Sequence, residues 1–138
     1  MSLFTKKKER AVQSLVLKIV NNNCPELRAM IEGPRVDSRV NLLLVVMVIP
    51  LEKNHLVLNK VFMAVTKEFS TTGVAVVVDT PRAVDKAILG FRFEGEMHFV
   101  LAEAKHHSPL GGGFFQLGFQ MSKIVLCDDY PELRKMSF

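Results

Sequence analysis

Hydrophobic positions along this chain keep a helical period first and a strand period afterwards. Over residues 5–20, Val12, Leu15, Val16, Ile19 and Val20 recur in steps of three and four, which places them on one helix face and predicts an amphipathic helix. Lys6, Lys7 and Lys8 sit near its start, where cations oppose the macrodipole. Either the helix begins nearer Glu9 with the lysines solvated, or their charge serves a partner. Asn21-Asn22-Asn23 suits its end, because asparagine tolerates a left-handed C-cap. Pro25 at a first helical position opens a second short helix, 25–31, which Gly33-Pro34 stops.

From Val40 the texture is that of strands. A long β run at 40–49 ends at Pro50, and the turn Glu52-Lys53-Asn54 leads to a run at 56–66 in which Val61, Met63 and Val65 alternate. Further strands are expected at 74–78, 88–93, 97–104 and 114–121. Glu94-Gly95-Glu96 reads as a tight hairpin turn and 106–113 as a loop. Six short strands with this punctuation predict an antiparallel barrel or sandwich. After Ser122 a short helix is expected from about Asp129 or Pro131, with Arg134 and Lys135 suiting its C-terminal end. The Pro-Glu-Leu-Arg phrase at 25–28 and 131–134 is shared helix-start chemistry rather than a repeat.

Composition narrows the class. At 138 residues and 49% hydrophobic, the chain can bury a core as one decorated domain. Its longest apolar run, 42–49, is too short to span a bilayer. No N-terminal signal pattern is visible, so a cytoplasmic location is the expectation. A net charge of +4 suits an anionic partner but falls short of the footprint of a nucleic-acid polymer binder. Cys24 and Cys127 are far apart and read as two separate thiols.

The candidate chemistry lies in two clusters. Arg35 and Arg39, four apart after Pro34, precede the first strand, and Glu68-Phe69-Ser70-Thr71-Thr72-Gly73 follows roughly thirty residues later. Arginine forks match phosphate oxygens and the O6/N7 edge of guanine, while a carboxylate and a hydroxyl accept guanine's donors. Glu68 and Ser70, two apart on an extended chain, project to one side, and Gly73 permits a tight turn or close ligand approach. Taken singly, the arginines are loop residues able to pair with Asp37 or Glu32, and the second cluster is an ordinary polar turn. Together they favour a guanine-bearing phosphate ligand.

An R-x-x-x-R pair at Arg35 and Arg39, followed by a (D/N)-x-S-x-x-G pattern met here by Glu68, Ser70 and Gly73, resembles the PilZ domain family. Members of that family are small β-barrels that bind cyclic di-GMP in bacteria. The resemblance implies a mainly β fold: a six-stranded antiparallel PilZ-like barrel over residues 34–122, an N-terminal helical extension over 1–33, and a C-terminal helical tail over 123–138. It implies a non-catalytic receptor whose Arg35, Arg39, Glu68, Ser70 and Gly73 hold the nucleotide, with an unidentified protein as its partner. Neither cofactor, metal nor membrane insertion is implied, and homodimer formation stays open. Glu68 is one methylene longer than the Asp or Asn usual there, which motivates an alternative: a PilZ-like barrel without nucleotide that works as a protein–protein interaction module.

Other clusters are weaker. His106 and His107, if on a strand, point to opposite faces and do not share a metal, and His98 adds no ligand set. Gly111-Gly112-Gly113 lacks the Lys-Ser/Thr of a phosphate loop and reads as a flexible connection. Phe114, Phe115 and Phe119 read as barrel core and rim. No nucleophile–base ordering stands out, so an enzyme is not expected.

Overall fold

The structure, a computed structural model, describes residues 3–23 and 40–138. The helix expected at 25–31 and Cys24 lie outside the described residues. Among the described residues one α-helix precedes eight strands: α1 (Leu3–Asn23), β1 (Val40–Asn41), β2 (Val45–Glu52), β3 (His55–Leu56), β4 (Phe62–Phe69), β5 (Gly73–Val78), β6 (Lys86–Phe93), β7 (Glu96–Gly111) and β8 (Phe114–Val125). Short 3-10 turns occupy Leu58–Lys60 and Pro131–Lys135.

All pairings are antiparallel, and they close. β4 pairs β5, β5 pairs β8, β8 pairs β7, β7 pairs β6, β6 pairs β2, and β2 returns to β4. The expected six-stranded barrel is therefore a ring of six strands, with the two-residue β1 and β3 appended to β4 and β2. Closure gives most backbone donors and acceptors a neighbour on both sides. Inward residues such as Val48, Ala64, Val76, Leu89, Val100 and Leu117 alternate along the strands into one core. Val12, Val16, Ile19 and Val20 of α1 join that core and are almost wholly buried, so the periodic face of the helix is spent on the ring.

A second apolar cluster lies on the outside of the ring. Met47, Ile49, Ile88 and Phe99 gather with Val125 and Leu133, so the C-terminal segment covers the outer face of β2, β6 and β7. The outer face of β4, β5 and β8 has no such cover among the described residues.

Four expectations need correction. The run at 40–49 is broken at 42–44, where the buried Thr66 side chain replaces regular pairing. Its Oγ1 accepts from the Leu44 N–H at 2.8 Å and donates to the Leu42 carbonyl at 2.6 Å. Pro50 does not end β2: it pairs Ala87 of β6, and its carbonyl accepts from the Val57 N–H at 2.9 Å. In an antiparallel strand the N and O of one residue point the same way, so the missing donor faces Val57, beyond the last β2–β4 pair at Val48 and Phe62. The run at 56–66 divides into β3, the 3-10 turn and β4. The expected loop at 106–113 is strand up to Gly111, with a turn in which Gly111, Gly112 and Gly113 all take positive φ. The hairpins at Lys53-Asn54 and Glu94-Gly95 are two-residue turns with positive φ at both positions, the twist that matches a right-handed β ribbon.

β7 outruns its neighbour. Its pairing with β6 ends at Lys86–Glu103, after which the Ala104 N–H reaches the Asp85 carbonyl at 2.7 Å. Beyond that point β7 pairs β8 alone among the described strands.

Candidate functional site

Two β-bulges build the site. Along β4, Phe62, Ala64 and Thr66 point inward, and strict alternation would send Glu68 into the core as well. Instead, Thr66 pairs Val76 and the next pair is Glu68–Ala75, leaving Lys67 as an extra residue. The extra residue reverses the alternation, so Glu68 turns outward and Phe69 is fully buried. β7 repeats the device: Ala104 pairs Phe119, the next pair is His106–Gly118, and Lys105 is the extra residue. Since Ala75 also pairs Gly118, Glu68, Ala75, Gly118 and His106 form one cross-strand row. It spans three strand spacings, roughly 14 Å.

On this row lies a pocket of about 270 Å³. Its floor is kept low by Gly73, Ala75 and Gly118, one wall is Glu68 with Ser70, the other is Lys105 with His106, and Gln116 and Gln120 flank it. The turn carrying Ser70 is tied down: the Ser70 N–H donates to the Gly73 carbonyl at 2.9 Å, and the Met121 N–H to the Thr72 carbonyl at 2.8 Å. Gln120 Nε2 also donates to Thr72 Oγ1. The two glycines are set by close approach. A Cβ on Gly73 would stand 2.7 Å from Ser70 Oγ, and one on Gly118 would stand 3.3 Å from His106 Cδ2.

The walls differ in chemistry. Glu68 and Ser70 present acceptor oxygens, while Lys105 and His106 present nitrogen. Lys105 Nζ lies 3.6 Å from Glu103 Oε2 with both side chains about half exposed, a pairing weak enough for a ligand to displace. Lys67 Nζ donates to Gln116 Oε1 at 3.2 Å, adding a cation at the rim. The pocket therefore suits a flat group with donors along one side and acceptors along the other.

The structure brings Glu68, Ser70 and Gly73 together, as the sequence led us to expect, although the bulge rather than plain alternation aims Glu68. Arg35 and Arg39 lie outside the described residues. Sequence reasoning missed Lys105, His106, Gln116, Gly118 and Gln120. One signal was available: Gly118 stands between Gln116 and Gln120 in the set that alternates with Phe115, Leu117, Phe119 and Met121, and a glycine inside a strand marks close approach.

A second surface adjoins the pocket. Val45, Met63, Val65 and Phe114 are each between 42% and 49% exposed, and Val45, Val65 and Val77 form the next cross-strand row. Among the described residues no group of three or more His, Cys, Asp or Glu is arranged to hold a metal ion. None of the described helices is long and apolar enough to cross a membrane.

No family model matches the sequence, and no curated protein matches it either. Among solved structures, the fold is similar to that of the Bacillus subtilis inhibitor of motility, MotI/DgrA. The TM-score is 0.50 at 15% identity, over 74% of this chain and 48% of that one. The chain thus spans about half the length of that protein, and the likeness is one of fold.

Proposed function

We propose that this chain is a PilZ-type receptor for cyclic di-GMP, non-catalytic and cytoplasmic, whose binding unit is residues 34–122. The observation that carries the reading is the pocket that unites Glu68, Ser70 and Gly73 on a face of the six-strand ring that no other described segment covers. Those are the positions at which the sequence resembles the second PilZ motif, and the likeness in fold to an inhibitor of motility supports a regulatory role. A pocket of about 270 Å³ falls below the roughly 300–1,000 Å³ of sites that engulf a drug-sized ligand. It takes a base, and the rest of the dinucleotide lies outside it; charge-assisted bonds to the phosphates are the role this reading gives Arg35 and Arg39. Calorimetric titration tests this: saturable binding is expected, and Arg35→Ala or Arg39→Ala should abolish it while unfolding stays unchanged. Absence of heat at high nucleotide concentration would overturn the reading.

Output to a protein partner is part of the proposal. The row Val65, Val77, Gln116 runs beside the row Glu68, Ala75, Gly118, His106, so a bound base would alter the border of the apolar face. That face also favours a second reading, an interaction module without nucleotide. If Glu68→Asp gained affinity that the parent lacks, and a partner bound the parent regardless of nucleotide, the second reading would replace the first.

A further inference from the structure

The wall of the pocket opposite Glu68 comes from a strand that the motif reading never assigned to the site. Lys105 is the extra residue of the β7 bulge and His106 the residue it turns outward; both line the pocket. His106 leans across its neighbour: a Cβ on Gly118 would meet His106 Cδ2 at 3.3 Å and His106 Cβ at 3.4 Å. Gly118 thus makes the space in which the imidazole rests beside the floor. Two bulges on non-adjacent strands, each displacing a lysine and re-aiming the next residue onto one row, give the pocket two chemically opposed walls.

We propose that His106, backed by Lys105, binds the O6/N7 side of a guanine whose donor side faces Glu68, and so makes the pocket selective for guanine over adenine. This rests on the cyclic di-GMP reading and extends it to which residues read the base. A carboxylate only accepts, so Glu68 demands donors, which guanine supplies at N1 and N2. The opposite edge of guanine carries two acceptors, which match the nitrogen-bearing wall. Adenine reverses the pattern: its N1 acceptor would meet the carboxylate, and its N6 amine would meet the lysine and histidine. The floor of Ala75 and Gly118 leaves a planar ring free to lie between the walls. Two acids stand near this wall: Glu103 engages Lys105, and Asp85 lines a neighbouring pocket with Lys105 and His106.

The test uses the full chain with cyclic di-GMP and cyclic di-AMP as probes, titrated by calorimetry against wild type, His106→Ala and His106→Gln. Wild type is expected to prefer the guanine ligand by about tenfold or more. His106→Ala should weaken cyclic di-GMP by about tenfold and narrow the preference; His106→Gln, which keeps a donor, should recover part of both. His106 is exposed, so thermal unfolding of the variants should match wild type. If wild type binds and His106→Ala binds equally well with the same preference, the assignment of His106 is wrong while the receptor reading stands. If wild type binds neither ligand, the receptor reading fails and takes this inference with it.

Discussion

Thr66 shows how much one hydroxyl can hold. It is fully buried and sits where the chain between β1 and β2 leaves regular pairing. Its Oγ1 satisfies the Leu44 N–H and the Leu42 carbonyl at once. Thr66→Val keeps the shape and removes both partners. Leaving the buried Leu42 carbonyl and the partly buried Leu44 N–H without that partner should cost about 2–4 kcal/mol, read as a lower urea midpoint at unchanged slope. Thr66→Ser keeps the hydroxyl and should lose only about 1 kcal/mol for the methyl. A Thr66→Val protein as stable as wild type would mean that water replaces the hydroxyl. Sequence alone did not single out this threonine. The alternation of Val61, Met63 and Val65 revealed a strand but not its inner face, because Phe62 and Ala64 between them are apolar too. The structure puts Phe62 and Ala64 inside and leaves Met63 and Val65 exposed.

At the scale of elements, the bulges decide where chemistry can stand. In β4, buried positions run 62, 64, 66 and then 69, an odd step that two-residue alternation cannot produce. Deleting Lys67 restores the even step: Phe69 then falls two positions after Thr66 and stays inward, and Glu68 stays outward. The deletion should therefore keep a cooperative thermal transition and bind no more hydrophobic dye than wild type, since no carboxylate enters the dry core. Loss of the sharp transition would show that the bulge itself, and not only the alternation it resets, holds β1 and β4 together. The phase slip is present in Thr66-Lys67-Glu68-Phe69 and was readable in principle. The extension of β7 was not, because a stretch with Ser108, Pro109 and three glycines has the composition of a loop. Its strand character comes from pairing with β8, a partner that local propensity does not contain.

For the whole molecule, ring closure and unequal covering locate the site. α1 lays its apolar face on the core of the ring, the C-terminal segment with Leu133 seals the outer face of β2, β6 and β7, and the pocket lies on the face that no other described segment covers. The number of ring strands and the helical face were legible because both follow from periodicity. The unequal covering was not, since it depends on where residues 125–136 return. The ring also has one gap: from Lys105 to Gly111, β7 has no strand on its far side among those described. An unclaimed ladder of amides invites another copy of the same chain to zip onto it. Pro109, in the middle of that stretch, withholds a donor and acts as a guard against such stickiness. Pro109→Thr should leave monomer stability nearly unchanged yet promote concentration-dependent self-association in light scattering. Scattering identical to wild type at every concentration would show that something other than this proline keeps neighbouring molecules apart.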